Sequence, residues 1–216
     1  NRKAISAVLT TLIILVASVV LGTGVVLYGT SLFQTNAQSQ AIVTTGIQVW
    51  IDKGGSGWAW GAADVSNDGD KLLSVNQISI RGSSVPFSNW YADTSITRVT
   101  TANFQAALNY TTLLVPGTTS DGGIVNGTGE NAGATFTGCS GSTHLAMQLV
   151  MPVNAAPSLC MSQQIGPISL QPGAKAIVYF KIPQNTLTSI DGGSSASVGI
   201  YAGQVGSPVT VSIAAK

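Results

Sequence analysis

The sequence predicts an α+β chain, with one long apolar N-terminal α-helix followed by an all-β globular domain of the β-sandwich kind. Three observations carry this. No charged side chain occurs from Ala4 to Ile51, and the part from Ala4 to Phe33 is apolar around the whole circumference of a helix. Beyond residue 40 strong helix formers are scarce: Glu130 is the only glutamate, and charged residues make up 8% of the chain, against roughly 25% in an ordinary globular domain. The same region alternates short β-branched and aromatic runs with Gly, Pro, Asn and Ser at turns.

The helix comes first. From Ala4 to Phe33 it would be roughly 45 Å long, more than the ~30 Å hydrocarbon core of a bilayer. A secretory signal peptide has an apolar stretch of only about 7–15 residues. In a soluble domain an all-round apolar helix would need burial on every side, and the remaining chain offers no apolar partner. The segment therefore belongs in a membrane or inside an assembly of its own kind. Arg2 and Lys3 flank its start, which by the positive-inside rule places that end in the cytoplasm and everything after Phe33 outside. Gly22, Gly24 and Gly29 each cost about 1 kcal/mol relative to Ala in a helix interior, which points to a packing role. Ser18 and Gly22 form a small-xxx-small pair that lets helix backbones approach closely. The residues expected to meet neighbouring helices are Ile5, Val8, Leu12, Leu15, Ser18, Val19, Gly22, Val26 and Phe33. Gln34 to Gln40 is polar and charge-free, a fraying helix end or a neck, so the chain divides into a helix (1–40) and a head (41–216).

In the head, Ile47, Val49 and Ile51 alternate with Gln48 and Trp50, the period of a strand. Gly54-Gly55-Ser56-Gly57 reads as a turn. Leu73 and Val75 are odd-numbered while Ile78 and Ile80 are even, so a bulge or break is expected near Asn76-Gln77. Further strands are expected at 145–151, 176–182, 197–201 and 209–213, with Pro183 ending the second of these. Residues 101–108 read as a short helix, and 116–138, rich in Gly and Thr without a period, as an exposed loop. Seven or so short strands with Gly/Pro turns imply an Ig-like β-sandwich.

Chemistry is sparse. Cys139 and Cys160 are an even pair, which in an extracytoplasmic protein predicts a disulfide, worth roughly 3 kcal/mol across a loop of this length. A zinc site needs about four ligands, and His144 is the only histidine. Asn109-Tyr110-Thr111 and Asn126-Gly127-Thr128 are candidate glycosylation sites at Asn109 and Asn126. Asp64-x-Ser66-x-Asp68-Gly69, with Asp70, fits the first half of a calcium loop, but Val75 stands where the closing bidentate glutamate belongs; a tight turn between strands explains Asn67-Asp68-Gly69-Asp70 equally well. No carboxylate can be assigned to His144 beside Ser140, Ser142 and Thr143, so a catalytic triad has no basis. Trp50, Trp58, Trp60, Trp90 and Tyr91 read as core or subunit contacts before a ligand platform. A net charge of +1 without a basic stripe leaves nucleic acid no electrostatic footprint. No enzyme, cofactor, metal or small-molecule substrate is expected.

The opening Arg2-Lys3-Ala4-Ile5-Ser6-Ala7-Val8, the long apolar helix and the β-rich remainder resemble the archaeal type IV pilin and archaellin superfamily. Two further stretches look like its head domains: Asp64 to Ile80, with Asn67-Asp68-Gly69 between strands, and Ile168 to Phe180, with Leu170-Gln171-Pro172-Gly173 as a turn into a late strand. Bacterial relatives carry a glutamate five residues into the mature chain; none is present here, which fits the archaeal branch. The resemblance implies a membrane-inserted precursor, cut by a prepilin peptidase near a charged/small junction such as Lys3-Ala4 or upstream of Asn1. An assembly ATPase would then lift the helix into a homopolymeric extracellular filament for adhesion. Arg2, Lys3 and the Thr/Gly-rich loop favour a pilus over an archaellum for motility. The rival of a different class is a single-pass anchored binding protein of the cell envelope.

Overall fold

A computed structural model describes residues 2–37, 40–51, 59–100, 104, 123–126, 144–148, 158–206 and 208–215. The chain divides into two compact units, Asn1–Ser39 and Gln40–Lys216. The first is a single α-helix, α1 (Arg2–Ala37), which extends through Gln34 into the polar neck. Among the described residues the second holds twelve strands: β1 (Ile42–Ile51), β2 (Ala59–Asn67), β3 (Leu73–Ile80), β4 (Ser83–Ser84), β5 (Trp90–Asp93), β6 (Gly123–Asn126), β7 (His144–Gln148), β8 (Ser158–Gln163), β9 (Ile168–Leu170), β10 (Lys175–Ile182), β11 (Ser195–Ala202) and β12 (Pro208–Ala215).

An apolar helix followed by a mostly β domain is thus what the chain forms. In place of two separate sheets, the described strands hydrogen-bond along one path, β4-β3-β11-β12-β1-β2-β10-β5-β8-β7-β6, with β9 beside β3. The sheet curls into a half-barrel at β12. Its first part, Pro208 to Ser212, pairs antiparallel with β11, and its last three residues, Ile213 to Ala215, pair parallel with Val49 to Ile51 of β1. A strand shared by both flanks keeps the sheet continuous, and local periodicity carries no trace of it.

Inside the curl lies the main core, where Val49, Ile51, Val65, Val178 and Phe180 of one flank pack with Val75, Ile78, Ile80, Val198 and Ile200 of the other. The outer face of the β1–β2–β10–β5–β8 flank is also buried, around Trp50, Trp60, Tyr91, Ile177, Tyr179, Leu159 and Met161, with Val99 and Phe104 over it. Burial on both faces explains why β10 reads as an unbroken apolar run from Ala176 to Phe180. Opposite Phe180, β2 has Gly61; the Phe180 ring occupies the place where a Cβ at Gly61 would stand.

The expected bulge is present. Tyr201 pairs with Gln77 and Ala202 with Val75, leaving Asn76 as the extra residue, so that Val75 and Ile78 both reach the core. A second irregularity, between Thr45 and Gln48 of β1, includes Gly46 at φ 60°. The stretch 116–138 is not all loop: β6 pairs in parallel with β7, and the four residues Gly-Ile-Val-Asn are too few for periodicity to register. The turn at 54–57 and the helix at 101–108, apart from Phe104, lie outside the described residues.

Candidate functional site

The feature with the largest unmet physical demand is α1. None of Val8–Ser31 is buried within the chain. Val8, Leu12, Leu15, Val19 and Val26 are all more than half exposed, and Ser18 and Gly22 are exposed; Ile5 and Phe33 lie within the helix. The segment is long and apolar enough to cross a membrane. Four of its hydroxyls bond back to the helix itself. Thr11 Oγ1 donates to the Val8 carbonyl at 2.9 Å, Ser18 Oγ to Leu15 at 2.9 Å, Thr23 Oγ1 to Val19 at 2.9 Å and Thr30 Oγ1 to Leu27 at 3.0 Å. Each donor is satisfied inside the helix, as an apolar surrounding requires.

Small residues fall on two sides of α1. Thr11, Ser18, Gly22 and Gly29 recur at spacings of seven and four and share one side, while Thr10, Ala17, Gly24 and Ser31 recur every seven residues on another. A Cβ added at Gly22, Gly24 or Gly29 would meet nothing within 4 Å in the chain itself, so these glycines answer no demand of the isolated chain.

The remaining candidates are scattered. Cys160, on β8, is disulfide-bonded; Cys139, the only other cysteine in the sequence, lies outside the described residues, as do Asn109 and Trp58. Asn126 is the last residue of β6, opposite Gln148. His144 begins β7 opposite Ser162, while Ser140, Ser142 and Thr143 are outside the described residues. Among the described residues the tryptophans do not gather on one platform. Trp90 faces the inner core, with its indole N–H donating to the Val85 carbonyl at 3.0 Å. On the outer face Trp60 meets Tyr91 at 5.8 Å and Trp50 stacks on Tyr179 at 6.3 Å.

The half-calcium motif is a turn in this structure. Asn67 Oδ1 accepts the Gly69 N–H at 3.0 Å, and its Nδ2 donates to the carbonyls of Lys71 at 2.7 Å and Leu170 at 2.9 Å. Asp68 and Asp70 are exposed in that turn, while Asp64 is buried within β2. No group of three or more metal-binding side chains occurs among the described residues.

Two aspartates flank Ile177 on the outer face, for Ile177 pairs with Asp64 on one side and Asp93 on the other. Asp93 is fully provided for. Arg98 donates to it through Nε at 2.7 Å and Nη2 at 3.1 Å, and the N–H groups of Ser95 and Cys160 add bonds of 2.9 Å each. In return, the hydrogen bond to Asp93 raises the Arg98 guanidinium above its ordinary value. Asp64 has no such company. It is 3% exposed, its Oδ1 has no hydrogen-bond partner, and burial pushes its carboxyl up from 3.8 to about 7. The turn expected from the sequence covers Asn67 to Asp70; only the length of β2 reveals Asp64 as a buried acid.

Neither a comparison with protein-family models nor a search of curated proteins returned a match.

Proposed function

We propose that this chain is a structural subunit of an extracellular, type IV pilus-like filament of the archaeal kind, inserted in the membrane before assembly and polymerising through α1. One observation carries the reading: an all-round apolar helix whose Val8–Ser31 segment finds no burial in its own chain. Such a helix loses little when lipid is exchanged for identical helices, because close packing replaces the dispersion contacts of the acyl chains. The glycines on two sides of α1, useless to the lone helix, acquire a purpose where neighbours approach from two directions. The self-satisfied hydroxyls suit both surroundings.

On this reading the head, an Ig-like module in the sense of two apolar flanks packed face to face, forms the outer sheath. Its exposed surface carries adhesion and any glycan at Asn126 or Asn109. Processing by a prepilin peptidase and extrusion by an assembly ATPase belong to the same proposal, with adhesion preferred to archaellar motility.

A second reading keeps α1 in lipid as a lone anchor, since Val8–Ser31 also matches one bilayer crossing in length. Electron microscopy of material sheared from the cell surface separates the two. Filaments containing this chain support the polymer. A chain that stays with the membrane fraction and never appears in sheared material rejects it in favour of the anchor.

A further inference from the structure

Lys175 on β10 pairs with Ser66 of β2; Asp64 lies two residues along β2, on the same face and one pleat away. The Lys175 ammonium rests over the Phe104 ring, 4.9 Å from its centroid. Diagonal neighbours across two strands have Cα atoms roughly 7–8 Å apart, within reach of a long side chain. Asp64 meanwhile holds a buried oxygen without any hydrogen-bond partner.

We infer that Lys175 has two alternative seats on the outer face of the sheet, the Phe104 ring and the Asp64 carboxylate, and that protonation of Asp64 decides between them. With Asp64 neutral, the ammonium keeps its cation–π seat and holds Phe104 against the sheet. With Asp64 ionised, a bare buried carboxylate is far costlier than a surrendered cation–π contact, and the lysine stem turns to pair with it.

Among the described residues, the surroundings leave this exchange to Lys175. β1 carries no charge from Ile42 to Ile51. On β5, Asp93 is already held by Arg98, and Tyr91 lies beyond Tyr179. Lys181 shares the face of Lys175 but sits opposite Trp60 at the far end of β10. Asp68, Asp70 and Lys71 lie in the turn beyond the end of β2. The near-neutral titration of Asp64, about 7, places the exchange inside the range a cell surface meets.

The test is thermal melting of the full chain in detergent between pH 5 and pH 9, for the wild type and for Lys175→Met, Lys175→Arg and Asp64→Asn. Lys175→Met should lower the melting temperature further at pH 9 than at pH 5, by about 3 °C or more, because the ionised acid has lost its cation. Lys175→Arg should restore the wild-type profile, and in the Asp64→Asn background Lys175→Met should cost the same at every pH. An equal cost of Lys175→Met at pH 5 and pH 9 in the otherwise native chain overturns the inference. Should Asp64→Asn fail to fold, carbon-13 titration of Asp64 decides. Its midpoint should rise by about half a unit or more in Lys175→Met, and an unmoved midpoint overturns the proposal.

Discussion

The side-chain amide of Asn67 donates to the main-chain carbonyl of Leu170 at 2.9 Å, joining residues 103 positions apart. Around that bond, two turns are sewn together. The Gly173 N–H donates to the Asn67 carbonyl at 2.8 Å, and the Asn67 N–H donates to Ala174 at 3.0 Å. Gly173, at φ 74°, follows Pro172 and permits the reversal after Leu170.

Replacing Asn67 with alanine removes three side-chain bonds in a place where Asn67 itself is 0% exposed. The expected loss is about 2–4 kcal/mol, read by chemical denaturation. Asn67→Asp keeps the acceptor for Gly69 but loses both donations, so it should rescue little.

Gly61→Val should be more damaging, because the Phe180 ring already fills the position of a Cβ on Gly61. A cost of about 3 kcal/mol or more is expected from overpacking on a buried strand. The double variant Gly61→Val/Phe180→Leu should recover part of the loss, since the smaller side chain frees the space. Full additivity of the two single changes would argue against this contact.

Stability should fall as pH rises between about 4 and 8. The Asp64 carboxyl titrates near 7 in the fold against an ordinary 3.8, so across that window the native chain holds a proton that the unfolded chain has lost. Its contribution is complete below the unfolded value and is lost through the folded one, amounting to at most roughly 4 kcal/mol. Asp64→Asn should flatten the slope and exceed the wild type in stability at pH 8. Asp191 acts in the opposite sense, because hydrogen bonds, first from the Thr188 N–H and then from Arg81, hold its carboxyl low. Its contribution is present above the ordinary carboxylate value and is lost as pH falls through the lowered one.

Substitutions on α1 should separate the lone helix from the assembled one. Gly22→Ala should raise helix stability in micelles by about 1 kcal/mol, since its Cβ meets nothing within 4 Å there. Gly22→Leu should insert equally well yet reduce filament yield severely, as counted by electron microscopy. Normal filaments from Gly22→Leu would mean that this side of α1 is not a contact.

What could be read from the sequence followed from how far each signal reaches along the chain. The absence of charge up to Ile51 and the Gly-spaced apolar run gave α1 without ambiguity. The odd-to-even change between Val75 and Ile78 gave the bulge at Asn76, because side-chain alternation is local. The Leu170-Gln171-Pro172-Gly173 turn was suggested by the family resemblance, which rests on a short local motif. β5 and β9 escaped because four and three residues are shorter than any period can establish. The curl at β12 escaped because it depends on which strands pair, as did the isolation of Asp64, which depends on what neighbouring strands fail to offer.

The parallel pairing of Val49 to Ile51 with Ile213 to Ala215 has a mechanical consequence. β1 is the first strand after α1, and it is clamped between β2 and the last strand of the chain. A pull along β1 loads these hydrogen bonds in shear, so they must rupture together instead of opening one after another like a zipper. In the proposed filament, tension entering the head along β1 would meet these bonds in shear, and the seam would oppose unravelling of the domain from its first strand.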